Sequence, residues 1–143
     1  MDSQFANGSE RRRAERVRVN ITVAYQIEKP ISIKMLVGEE EVEATIVDIS
    51  EGGLAILTKH DLPMATLLVV EFMLIRTEKE TNFKYYESVK IKGEVKSSIV
   101  LGEEKYRLGV AFKGLDEESK FKISAFVKKG NIPKEPDITY GEA

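Results

Sequence analysis

Two short runs of residues in this sequence could do chemistry. The first is Arg12-Arg13-Ala14-Glu15-Arg16. It lies in a cluster that holds five of the chain's seven arginines: Arg11, Arg12, Arg13, Arg16 and Arg18. Arginine presents a planar fork of donors that fits phosphate oxygens or the O6/N7 edge of guanine. Its flat face also stacks on a purine. A spacing of four puts Arg12 and Arg16 on one side of a helical turn, and on one side of an extended segment as well. Either conformation therefore aims both at one ligand. Taken alone, the cluster is equally a solvated basic arm, or one that touches membrane or nucleic acid.

The second run is Asp48-Ile49-Ser50-Glu51-Gly52-Gly53. An aspartate can accept from N1–H and N2–H on the Watson–Crick edge of guanine. A serine two residues later projects to the same side of an extended chain and offers a hydroxyl. The two glycines allow positive φ and a close approach of backbone to ligand. Taken alone, this run is an ordinary hairpin, with Asp and Ser capping a tight Gly-Gly turn.

The elements that must position these groups follow from periodicity. Val17, Val19, Ile21, Val23, Tyr25 and Ile27 alternate with Arg18, Asn20, Thr22, Ala24 and Gln26, the period of a half-buried strand. Pro30 interrupts it, and ISIKMLV is expected to continue it on a bent path. EVEATIVDI forms a second strand, with Val42, Ala44 and Ile46 on one face. LAILT, TLLVVEFMLI, YYESVKIKGEVKSSIV and KYRLGVAF complete a set of six, and Gly93 marks a bend or bulge. After Lys113 the period becomes helical. Asp116 is the N-cap, Glu117 and Glu118 occupy the first turn, and Ile123, Phe126 and Val127 share a face. Gly130 can end the helix. The expected organisation is a flexible arm over 1–10, one domain over 11–130 and a surface tail over 131–143. Closely spaced strands favour an antiparallel barrel, which removes sticky edges, and the helix would cover one end or side.

Composition narrows the function classes. The 143 residues carry a formal net charge of −2, so any contact with a polyanion must come from a local basic patch. With no cysteine, disulfides, thiolate zinc sites and cysteine nucleophiles are excluded. No apolar run is long enough for a transmembrane helix and no signal peptide is recognisable, so a cytoplasmic protein is expected. His60 is the single histidine and cannot build a His-rich metal site. Glu39-Glu40-Glu41 reads as a solvated turn, and Phe83, Tyr85 and Tyr86 as packing residues. No P-loop, nucleophile elbow or convergent acid–base pair supports an enzyme, and no cofactor or metal is expected.

Together and in this order, the two runs carry a resemblance. RxxxR ahead of the first strand, then [D/N]xSxxG after the second, resembles the PilZ family. Tyr106-Arg107-Leu108-Gly109-Val110-Ala111-Phe112 is similar to that family's closing strand, and the likeness extends over roughly residues 10–130. The resemblance implies a mainly β protein, a six-stranded antiparallel β-barrel with a C-terminal α-helix. It also implies binding of the bacterial second messenger cyclic di-GMP. Carried over residue by residue, Arg12 and Arg16 meet guanine and phosphate, and Asp48, Ser50 and Gly53 form the guanine pocket. Arg11, Arg13, Arg18 and Gly52 are helpers. The implied partners are cyclic di-GMP and a downstream protein, in the control of motility, polysaccharide, adhesion or virulence. DNA and RNA are not expected. Two alternatives stay open: a nucleic-acid-binding OB-type barrel, and a PilZ module that only docks a protein.

Overall fold

The computed structural model describes residues 16–78, 80 and 83–131. The expected arm over 1–10 and the tail from 132 onward lie outside them. Among these residues six strands form: β1 (Arg16–Lys29), β2 (Val42–Ser50), β3 (Gly53–Thr58), β4 (Leu67–Glu78), β5 (Phe83–Gly102) and β6 (Lys105–Lys113). All pairings are antiparallel, and the order β1-β2-β3-β6-β5-β4 closes into a barrel through the β1–β4 pairing. Alternation drives the closure. Val23, Tyr25, Ile27, Ile46, Ile56, Leu68, Val70, Leu74, Val89, Val95 and Leu108 all point into one buried cluster.

The helix α2 (Glu117–Asn131) starts as expected: the Ser119 amide donates to Asp116 Oδ1 at 2.7 Å. Ile123 and Val127, four residues apart on one face, are fully buried in the barrel cluster, and Phe126 packs beside them. Each such burial stabilises the fold by about 1.5–3 kcal/mol. The helix runs one residue past Gly130.

The structure corrects the expected path after Pro30. ISIKMLV is not a bent continuation of β1 but a short helix, α1 (Ile31–Val37). Ile33 and Val37, at i and i+4, pack against the core, while Ile31, Met35 and Leu36 are exposed. In seven residues that helical spacing is hard to distinguish from strand alternation. Gly93 also differs from expectation. It lies in an unbroken stretch of pairing, and the irregularities of β5 against β6 fall between Val95 and Ser97 and between Val100 and Gly102.

Candidate ligand-binding site

Strict alternation along β2 would bury Asp48, because Ala44 and Ile46 face the core. The structure breaks the phase at Val47. Ile46 pairs with Ile56, but Asp48 pairs with Ala55, so β2 carries one extra residue there. This β-bulge restarts the alternation: Ile49 is buried, and Asp48 and Ser50 share the outer side. A carboxylate that would otherwise need burial among Ile and Leu is turned outward.

Pairing then assembles the site around Asp48. Across β1, Arg18 is opposite Asp48 and Arg16 opposite Ser50. Across β3 and β6, Asp48 is opposite Ala55, and Ala55 is opposite Gly109. Arg107, two residues before Gly109, is on the same face. Its Nη2 donates to Asp48 Oδ2 at 2.6 Å, a short charge-assisted contact. Arg16 Nη1 lies 3.7 Å from the same oxygen. The Asp48 side chain is 14% exposed, Arg107 34% and Arg16 64%. Arg18 is exposed on the rim and forms no side-chain hydrogen bond or ion pair with Asp48 among the described residues.

Ser50 shapes the turn that follows. Its Oγ accepts from the Gly52 amide at 3.2 Å and donates to the Gly53 carbonyl at 3.3 Å. The Gly52 carbonyl accepts from the Phe112 amide at 3.0 Å, which fixes the turn to the end of β6. On the far side Ser124 of α2 donates to Glu51 Oε2 at 3.0 Å. The two glycines differ in what they do, and neither uses positive φ, against the expectation from sequence. A Cβ on Gly53 would lie 2.2 Å from the Val110 carbonyl oxygen, whereas one on Gly52 would meet nothing within 4 Å. Gly53 is required for the close approach of β3 to β6, and Gly52 is not. With Ala55, Gly109 and Ala111, Gly53 leaves the outer face of β3 and β6 low beside a rim of arginines.

The structure thus brings together Arg16, Asp48, Ser50 and Gly53, with Arg18 and Gly52 at the edge. Arg11, Arg12 and Arg13 lie outside the described residues. Arg107 is the residue the reading by motif left out. Its signal was the alternation in Tyr106-Arg107-Leu108-Gly109, which places it outward next to a glycine. His60 takes no part. Burial and the charge of Lys59 push its pKa down, and its amide leans on Thr58 Oγ1 at 3.5 Å. Among the described residues no group of three or more His, Asp or Glu is placed to hold a metal. No helix among them is long and apolar enough to cross a membrane.

A family model for the PilZ domain matches residues 10–129, which takes in both motifs, the barrel and most of α2. The chain belongs to the PilZ domain family. Solved structures with a similar fold include the inhibitor of motility MotI/DgrA of Bacillus subtilis. Its TM-score is 0.64 at 15% identity, with 86% of this chain and 52% of that one covered. The PilZ domain of YcgR from Escherichia coli, solved with c-di-GMP, has a TM-score of 0.57 at 11% identity, covering 86% and 93%. The K. pneumonia MrkH–c-di-GMP complex gives 0.59 at 23% identity, covering 85% and 52%. This PilZ chain thus spans about half the length of MotI and of MrkH. No curated protein sequence matches it.

Proposed function

We propose that this PilZ protein is a non-catalytic receptor for cyclic di-GMP. The observation that carries the reading is the outward carboxylate of Asp48, set between Arg16 and Arg107 and beside the turn made by Ser50 and Gly53. A carboxylate accepts from N1–H and N2–H of guanine, a donor pair adenine lacks, and guanidinium groups supply charge and a stacking face for the rest of a dianionic purine ligand. The c-di-GMP in the YcgR and MrkH structures is of that chemical class. Arg12, four residues before Arg16, is the second arginine of the clamp, with Arg11 and Arg13 as neighbours. Ser50 and Gly53 shape the pocket through the turn rather than through a charged contact.

In this reading the segment ahead of β1 folds onto the barrel when the ligand arrives, and the composite surface is what a downstream protein reads. Ordering that segment costs entropy, so affinity settles near micromolar, about −8 kcal/mol. The control of motility, polysaccharide, adhesion or virulence is the family's territory and the field in which the downstream protein should be sought. A cytoplasmic location fits a receptor for an intracellular messenger.

Calorimetric titration with cyclic di-GMP, beside GMP and cyclic GMP, tests the proposal. Saturable uptake of cyclic di-GMP alone is expected. One charge-assisted hydrogen bond is worth about 1.5–3 kcal/mol, so Arg16→Ala should bind about tenfold to a hundredfold more weakly. Arg16→Lys should not restore affinity, because lysine lacks the fork and the flat face. Wild-type protein that takes up no cyclic di-GMP at high micromolar ligand would end the receptor reading.

A further inference from the structure

Asp48 is held from a direction that neither motif contains. Arg107 lies 59 residues further along the chain, on β6, and reaches Asp48 across the intervening strand β3. Its register partner on β3 is Leu57, so the side chain runs diagonally toward Asp48, past the position of Ala55. Ala55 lies outside the barrel cluster, on the outward side, yet is only 2% exposed. A large side chain there would stand in the path of this crossing. Both arginines approach Oδ2, and among the described residues no hydrogen bond is made to Oδ1.

This arrangement bears on base selectivity. Recognising guanine through N1–H and N2–H takes both carboxylate oxygens, in the plane of the base. The terminal torsion of an aspartate is broad and roughly two-fold, so an unheld carboxylate samples many planes. A guanidinium at 2.6 Å on Oδ2 narrows that range and leaves Oδ1 open. We infer that Arg107 is a positioning residue that sets the plane of the Asp48 carboxylate and so fixes the preference for guanine. This rests on the receptor reading and extends it from which ligand class binds to which residue enforces the base.

The test is a ligand cycle. Wild type, Arg107→Ala, Arg107→Lys and Arg107→Gln are titrated with cyclic di-GMP and with its inosine analogue, in which each base keeps N1–H but lacks the 2-amino group. Thermal melts check that each variant folds, and the lysine and glutamine variants give the reading if the alanine variant does not. Wild type should prefer the guanine ligand by about tenfold or more, the worth of one hydrogen bond to a charged acceptor. In Arg107→Ala that preference should shrink to about two- or threefold, mainly through weaker binding of the guanine ligand, because the 2-amino group no longer meets a fixed oxygen. Lysine and glutamine should fall between. An equal loss for both ligands would make Arg107 a direct contact and overturn the inference, as would tighter binding of the guanine ligand or an unchanged preference. If wild type binds no cyclic di-GMP, the receptor reading fails and this inference with it. If wild type binds but its preference survives without Arg107, this inference alone fails.

Discussion

Gly53→Ala separates close approach from conformational freedom as the reason for the motif's last glycine. The added Cβ would lie 2.2 Å from the Val110 carbonyl oxygen and 3.2 Å from Ala111 Cα. Ordinary contact begins near 3.4 Å, so the two backbones must part by about 1 Å. Val110 cannot simply yield, because it is paired with Leu54 on one side and Val95 on the other. The strain therefore falls on the start of β3 and on the bond from the Phe112 amide to the Gly52 carbonyl. Overpacking costs about 1–3 kcal/mol and a lost backbone hydrogen bond about 1 kcal/mol more. The lower entropy of the unfolded alanine chain returns about 0.4–1 kcal/mol. The net loss is about 1–3.5 kcal/mol, a fall in Tm of about 3–12 °C at this chain length. Gly52→Ala is the matched control. It meets no atom within 4 Å and its φ is not in the left-handed region, so its stability should stay within about 0.5 kcal/mol of wild type. Urea unfolding of the three proteins, compared by midpoint at constant m, gives the answer. If the two glycine variants unfold together, the close β3–β6 approach is not what requires a glycine at position 53.

Two further outcomes follow from single hydrogen bonds. Tyr25, buried inside the barrel, shares a 2.8 Å hydrogen bond with Thr58 Oγ1, and burial raises its pKa despite that bond. Tyr25→Phe should cost about 1–2 kcal/mol in urea unfolding, since it leaves a buried hydroxyl with a poorer partner. Asp116 accepts from the Ser119 amide, which holds its carboxyl below the ordinary value of 3.8. A depressed carboxylate contributes stability that is present above its unfolded pKa and lost as pH falls through the folded one. The Tm gap between wild type and Asp116→Ala should therefore be constant near neutrality and close as the pH falls below the ordinary carboxylate value. A gap that widened in acid would refute the capping role.

Much of this architecture was legible because burial writes itself as a period of two. The stripe from Val17 to Ile27 gave β1, and the shift to helical spacing after Lys113 gave α2 with its Asp116 cap. Local signals failed where two geometries share one pattern, as in Ile31–Val37, or where a contact depends on strand order. Arg107 and Asp48 become neighbours only because β6 lies beside β3 and β3 beside β2. No spacing rule spans 59 residues, so a motif search finds the carboxylate and misses the cation that holds it.

The bulge at Val47 shows why the motif's aspartate can face outward at all. In Thr45-Ile46-Val47-Asp48-Ile49, the apolar residues that must be buried are Ile46 and Ile49, three apart, a spacing no regular strand can satisfy. Unbroken alternation could bury Ile46 only by burying Asp48 and exposing Ile49, or bury Ile49 only by exposing Ile46. An ionised carboxylate among isoleucines costs several kcal/mol without a partner, far more than one interrupted pair in the ladder. The extra residue is the cheaper solution, and it turns Asp48 outward opposite Arg18, within reach of Arg16 and Arg107. The same two isoleucines that build the core therefore aim the acid, so core packing and the outward placement of Asp48 are set by one local conflict in β2.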